Sequence, residues 1–245
     1  MKNPYKIFLR EYVKNNFPNR AFNKDNGNLK NKVKVACILD TFSYECFKHE
    51  GEFVQLGISN WKKIIDSFKP DFLFVESAWQ GLDRQWVNKV SNLHKYKSDV
   101  LPSLIKYCNE KNIPTVFWAK EDPSDFQIFI EAAKLFDYIF TTDADSIKKY
   151  KEIVKHNKVY LLPFAAQPKI HNPINKDNMK VGNIAFAGSW YDKYPNRCAD
   201  MEILLKPAFK YDLVIFNRFK DINAKYYSYP KEYHPYIKGS LNYDE

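Results

Sequence analysis

Among the seven glycines of this sequence there is neither a GxGxxG run nor a Walker A pattern. Such glycines let backbone close around the phosphates of dinucleotides and nucleoside triphosphates, so a nicotinamide dehydrogenase or a P-loop enzyme is disfavoured. Cysteine is sparse too. Cys37, Cys46, Cys108 and Cys198 stand far apart, with no CxxC pair and no Cys/His grouping at metal-ligand spacing. No metal site is expected, and reduced packing thiols fit a cytoplasmic chain. No stretch approaches the roughly 18 consecutive apolar residues of a spanning helix. Residues 1–20 lack the apolar core and small-residue cleavage site of a secretory signal. A soluble, cytoplasmic protein is the expectation.

What is present favours a folded body. The 245 residues are 45% hydrophobic and 27% charged, enough for one large domain or two modest ones. The net charge of +9 is uneven: residues 1–32 hold eight Lys/Arg against two Asp/Glu, and the remainder holds 30 against 27. A nucleic-acid protein usually carries its basic stripe through the folded body. This body is nearly neutral, so nucleic acid is not an expected partner. Within the basic arm, Tyr5, Phe8, Leu9 and Tyr12 recur at helical spacing while Lys6, Arg10 and Lys14 line another side. A helix of this kind either lies on an anionic membrane surface through residues 4–17 or docks its aromatic face on its own domain.

From residue 33 onward, apolar runs alternate with helical patterns. Strands are expected at Val33–Leu39, Phe72–Glu76, Pro114–Trp118, Tyr138–Thr142 and Val159–Leu162, with a further one near Phe53–Leu56. Helices are expected at 59–68, 84–111 with a break, 123–136 and 144–155. Strands apolar along their length and separated by helices imply a parallel sheet covered on both faces. The fold expected is therefore α/β, a Rossmann-like domain over 33–167. A proline-punctuated linker, 168–180, leads to an incomplete second Rossmann-like domain over 181–245. That second unit reads strand Asn183–Ala187, helix 195–209 and strand Asp212–Phe216, and residues 226–245 show no clear periodicity.

Ligands of open parallel sheets bind beyond the carboxyl ends of the strands. Those ends carry Asp40 and Ser43, then Glu76, Ser77 and Trp79, then Trp118, Lys120, Glu121 and Asp122, then Asp143. Carboxylates hydrogen-bond hydroxyls and indole faces stack on sugar C–H surfaces, so the set suits a glycan or polyol acceptor. Each residue also has a plainer reading. Asp122 before Pro123 suits a helix N-cap, Asp143 can cap the next helix, Ser77 can cap a turn, and the tryptophans can be core. Glu76 and Glu121 resist that, because a carboxylate ending an apolar strand has no routine capping role. In the second unit, Gly188-Ser189 follows a strand, Arg197 lies in the next helix and Asn217-Arg218 follows the next strand. Glycine at a helix N-terminus with nearby arginine suits a diphosphate, and a tight turn with surface arginines is the alternative.

The runs ILDTFSYECF (38–47), FVESAWQG (74–81), IPTVFWAKEDPSDFQIF (113–129), FDYIFTTD (136–143), LLPFAAQP (161–168), NIAFAGSWYDKYPNRCADM (183–201) and YPKEYHPYIKGSLNY (229–243) resemble the CgeB-like spore-maturation and cell-envelope glycosyltransferases. The resemblance covers nearly all of 33–245. It implies a GT-B-like enzyme whose N-terminal domain takes the acceptor and whose C-terminal domain binds a nucleotide-sugar as donor substrate, with no separate cofactor. Acceptor binding would fall to Asp40, Ser43, Ser77, Trp79, Trp118, Lys120 and Asp143, and donor binding to Gly188, Ser189, Arg197 and Arg218. Glu121, Asp122 and then Glu76 are the expected catalytic carboxylates. Two departures stand out: Asn217 replaces the family's usual Asp, and the family continues into a fuller donor domain. The alternative expectation is a catalytically incomplete, glycan-binding subunit, with a second polypeptide completing the donor domain. For the basic arm, removal of residues 1–30 decides: co-sedimentation with anionic liposomes is lost under the membrane reading and unchanged under the docked one.

Overall fold

Strand side chains alternate between two faces, and here both faces are apolar. In a computed structural model describing residues 32–172, 182–217 and 227–241, the chain divides into two compact units, 1–172 and 173–245. The basic arm through residue 31, including the segment proposed for membrane contact, lies outside the described residues, as does Arg218.

The first unit runs β1 (Lys34–Ile38), α1 (Thr41–Phe47), β2 (Glu52–Gln55), α2 (Trp61–Phe68), β3 (Phe72–Glu76), α3 (Leu93–Tyr96), α4 (Val100–Glu110), β4 (Thr115–Ala119), α5 (Phe126–Ala133), β5 (Tyr138–Thr141), α6 (Ser146–Val154) and β6 (Val159–Leu161). Its six strands are all parallel in the order β2-β1-β3-β4-β5-β6. This is the Rossmann-like α/β sheet that the alternating pattern predicts.

Strand parity assigns the two cores. Ala36, Ile38, Leu73, Val75, Phe117, Ala119 and Ile139 pack against α2, α4, α5 and α6 through Ile65, Leu104, Phe129 and Tyr150. Val35, Cys37, Phe72, Phe74, Val116, Trp118 and Phe140 face the other way, toward Phe47 of α1 and Leu162. Glu76 continues the Phe72–Phe74 parity, which carries its side chain to the α1 side, away from the four-helix layer.

Two local readings need correction. The segment 40–43, read as the polar end of the first strand, instead leads into α1 (Thr41–Phe47), where Ser43, Cys46 and Phe47 recur at i, i+3, i+4 and are buried. The long helix expected over 84–111 is confined to α3 and α4. Asn88, Asn92 and Lys97 take positive φ and break the run, and Trp86 anchors it by donating its indole N–H to Leu56 O at 2.7 Å.

In the second unit, β7 (Ile184–Ala187), α7 (Pro195–Leu205), β8 (Leu213–Phe216) and β9 (Ile237–Gly239) give a three-stranded parallel sheet in that strand order. Its core gathers Trp190, Met201, Leu205, Leu213, Ile215, Tyr229 and Tyr233. Strand β9 and the 3₁₀ turn Lys231–Tyr236 come from the Tyr-rich tail that showed no periodicity.

Gly81 supplies a test of the turn after β3. Its φ of 62° and ψ of −163° belong to a region essentially reserved for glycine, and a Cβ there would meet Trp86 Cδ1 at 2.6 Å. Gly81→Ala is expected to destabilise the fold by about 1–3 kcal/mol, measured by urea unfolding against the unsubstituted chain.

Candidate functional site

The strand order reverses direction at β1 and β3: β1 leads outward to β2, whereas β3 leads the other way to β4. A crevice opens beyond the carboxyl ends of strands at such a switch point. Asp40 follows β1, Glu76 ends β3 and Lys120 follows β4, so the topology alone brings these three together.

They form one ion cluster. Lys120 Nζ lies 3.1 Å from Asp40 Oδ2, 3.1 Å from Glu76 Oε1 and 3.8 Å from Glu121 Oε1. The Lys120 side chain is only 8% exposed and that of Glu76 is fully buried. Burial works against the Lys120 charge, but Glu76, Asp40 and Glu121 outweigh it and hold the ammonium above the ordinary lysine value. Burial likewise pushes the Glu76 carboxyl up, and the adjacent Asp40 adds to this against the pull of Lys120. Glu76 Oε1 also accepts the Asp40 backbone N–H. Glu76 Oε2 and Ser43 Oγ are both buried, and the Ser43 hydroxyl beside Glu76 favours its ionised form.

Asp40 occupies the N-cap position of α1 yet makes no side-chain cap there. Its carboxylate turns across the crevice and accepts the backbone N–H groups of Trp79 (3.0 Å), Gln80 (2.9 Å) and Gly81 (2.7 Å). Burial would raise this carboxyl, but Lys120 and those three N–H groups hold it below the usual aspartate range. A carboxylate offers about four acceptor sites, and here four donors fill them. Asp40, expected at the acceptor, is thus bonded into the frame of the crevice by four donors.

Ser77 is also framework. Fully buried, its Oγ accepts the N–H groups of Lys120 (3.0 Å) and Glu121 (3.2 Å) and so fixes the turn that presents Glu121. The Glu121 side chain remains 29% exposed. Partial burial raises its carboxyl above the usual glutamate range, Lys120 pulls it back, Asp125 and Asp40 push it further up, and a hydrogen bond from the Trp79 side chain lowers it. Trp79 is 37% exposed and stands edge-on to Phe129, with ring centroids 5.0 Å apart. A raised, reachable carboxylate beside an exposed indole is a pair that can take a proton from a hydroxyl and stack a sugar face.

The other expected residues divide as follows. Trp118 is buried core and donates its indole N–H to Leu162 O at 2.9 Å, so it does not line the crevice; parity on β4 decides this. Ser43 is a buried residue of α1 itself. Asp122 does not cap a helix, since α5 begins at Phe126. Its carboxylate instead accepts the hydroxyls of Thr141 (2.6 Å) and Tyr150 (3.2 Å). Asp143 accepts both the N–H (3.0 Å) and the hydroxyl (2.6 Å) of Ser146, a turn that opens α6. Thr141 and Tyr150 were absent from the sequence-based set, although the Thr141-Thr142 pair at a strand end was a usable signal.

In the second unit, Gly188 follows β7, and a Cβ there would meet the tip of the Phe186 ring at 2.6 Å, so that ring would have to shift. Its N–H donates to Phe216 O and its carbonyl accepts the Tyr229 hydroxyl, both at 3.0 Å. The buried Ser189 hydroxyl donates to Asn217 Oδ1 at 2.9 Å. Arg197 is exposed in the first turn of α7, its guanidinium 4.7 Å from the Tyr191 ring centroid.

Among the described residues, no three His, Cys, Asp or Glu side chains are placed to hold one metal ion, and no helix is long and apolar enough to cross a membrane. No protein-family model matches the chain, and no curated protein matches it.

Asp122 gives a pH-dependent prediction. Burial pushes its carboxyl from 3.8 up to about 6, against the hydroxyls of Thr141 and Tyr150 that favour the ionised form. A folded-state value above the unfolded one contributes stability below about pH 4 that is lost as pH rises through 6. Asp122→Asn is expected to match the unsubstituted chain near pH 4 and to exceed it by about 1–2 kcal/mol at pH 7–8, discounted for partial exposure. Thermal unfolding across that range measures the difference.

Proposed function

We propose that this chain is a glycosyltransferase that moves a sugar from a nucleotide-sugar donor to a hydroxyl of a glycan, polyol or cell-envelope acceptor. The observation that carries the reading is the pairing of Glu121 with Trp79 at the switch-point crevice. Of the expected catalytic carboxylates, Glu121 is partly exposed, raised by its surroundings and next to an exposed indole. Glu76 is fully buried, and Asp122 is bonded to two hydroxyls. The resemblance of residues 38–47, 74–81 and 113–129 to CgeB-like enzymes points the same way.

In the inverting version, the acceptor lies on Trp79 and its hydroxyl oxygen attacks the anomeric carbon of the donor. Glu121 takes the hydroxyl proton as the new C–O bond forms. The bond from the anomeric carbon to the diphosphate breaks, and the nucleoside diphosphate leaves with that electron pair. The residues proposed for the donor's diphosphate are those of the second unit taken by itself, Arg197 and Arg218 with the backbone N–H groups at the start of α7.

A second reading, a partner-dependent glycan-binding subunit, is favoured by one feature of the second unit. Ile203 and Leu204 on α7 are 73% and 72% exposed, and β7 is an edge strand with Ile184 exposed. Apolar groups so placed suit burial against a partner.

Calorimetric titration with UDP-, GDP-, CDP- and TDP-sugars, followed by assay of nucleoside diphosphate release with mixed sugar acceptors, separates the two. The transferase reading expects one donor class to bind, Arg218→Ala to remove that binding, and Glu121→Gln to lower kcat by about 10²–10⁴-fold with donor affinity intact. Near-normal turnover of Glu121→Gln ends the role of that carboxylate. Failure of every donor to bind leaves the partner-dependent subunit.

A further inference from the structure

The Asp40 carboxylate sits where a ligand-binding acid was expected, yet four protein donors saturate it. We propose that Asp40 is the positioning residue of the crevice, clamping the Trp79 loop and, through Lys120, setting Glu121 relative to it. This rests on the reading above that Trp79 and Glu121 meet the acceptor.

The geometry has two halves. Three successive backbone N–H groups, of Trp79, Gln80 and Gly81, converge on one anion, an arrangement that elsewhere binds phosphate or sulfate. Here the anion is resident. It holds a stretch that is otherwise exposed and carries the indole on which the acceptor stacks. On the other side, Asp40 shares the Lys120 ammonium with Glu76 and Glu121. The ammonium is tethered at 3.1 Å to the two buried or half-buried carboxylates and stands 3.8 Å from Glu121, so Asp40 competes with Glu121 for its charge. The groups acting on Glu121 are Lys120, Asp125, Trp79 and Asp40. Of these, Asp40 is the one that also touches the Trp79 backbone and Lys120.

Asp40→Asn is nearly isosteric but loses the charge, and it turns an N–H₂ group toward donors. Lys120 then pairs more fully with Glu121. The Glu121 titration midpoint, followed by carboxyl ¹³C NMR with the resonance assigned by its loss in Glu121→Gln, is expected to fall by about 0.5 pH unit or more. The 5-fluorotryptophan resonance of Trp79, assigned by its loss in Trp79→Phe, is expected to shift and broaden. An unchanged Glu121 midpoint together with an unchanged Trp79 resonance, in a variant with normal circular dichroism, overturns the proposal.

Should Asp40→Asn fail to fold, hydrogen exchange in the unsubstituted chain decides. The amides of Trp79, Gln80 and Gly81 are expected to be protected about tenfold or more relative to unbonded loop amides. Free exchange at all three overturns the clamp. None of these readouts involves sugar or nucleotide. A chain without transferase activity that passes them keeps the clamp and loses the reading it was meant to serve.

Discussion

One buried ammonium holds the carboxyl edge of the large sheet together. Taking Lys120 out of water costs several kcal/mol, and only close partners compensate for that. Asp40 and Glu76, both at 3.1 Å, are those partners. The dependence is mutual, because Glu76 is fully buried and Lys120 is the ammonium that faces it. Removing the ammonium would leave a buried carboxylate without a counter-charge, a loss on the order of 3–5 kcal/mol in comparable cases. Since the three side chains come from the ends of β1, β3 and β4, the cluster also fixes the relative height of those ends. The segments that leave them, the start of α1 at 40–43 and the turns 77–81 and 120–125, inherit their positions from it.

This dependence runs backward into the sequence. The run FLFVE is apolar up to its last residue, and a carboxylate there marks a strand end that meets charge. That feature singles out Glu76 in the sequence itself, and the parallel sheet follows from strands apolar on both faces. Parity could have gone further. Val116 and Trp118 share a face, with Phe117 between them on the other, which sends the Trp118 indole into the α1-side core and leaves it unable to stack on a ligand. Residues 41–47 were illegible for a different reason. Thr41, Phe42 and Tyr44 are poor helix formers, and the helix exists because Ser43, Cys46 and Phe47 find the sheet. Tertiary packing overrode propensity there, as it did for the Tyr-rich segment that yields β9.

The second unit shows where sequence signals and geometry agree only at the level of the backbone. Gly188 sits where β7 ends, and a Cβ there would press on the far end of the Phe186 ring. Ser189 and Asn217, however, bond to each other, which gives the Asn at position 217 a local reason: its amide oxygen receives a hydroxyl inside the unit. Arg197 stacks on Tyr191 and remains exposed, so its charge is available to an anion at the same helix terminus.

The chemistry of the crevice follows from how completely each polar group is satisfied. Asp40 accepts four donors, Ser77 two N–H groups, Asp122 two hydroxyls and Asp143 a capping N–H and hydroxyl. Satisfied groups make a rigid frame and have little capacity for a ligand. Glu121 differs from them: its backbone is pinned by Ser77, its ammonium neighbour stands at 3.8 Å, and its carboxylate still reaches solvent. A carboxylate held by its backbone and left partly free at its oxygens can accept a proton without disturbing the frame. Trp79 is arranged the same way, its N–H fixed by Asp40 and its indole exposed. The two partly exposed side chains at this edge, Glu121 and Trp79, thus stand on main chain that the frame itself holds in place.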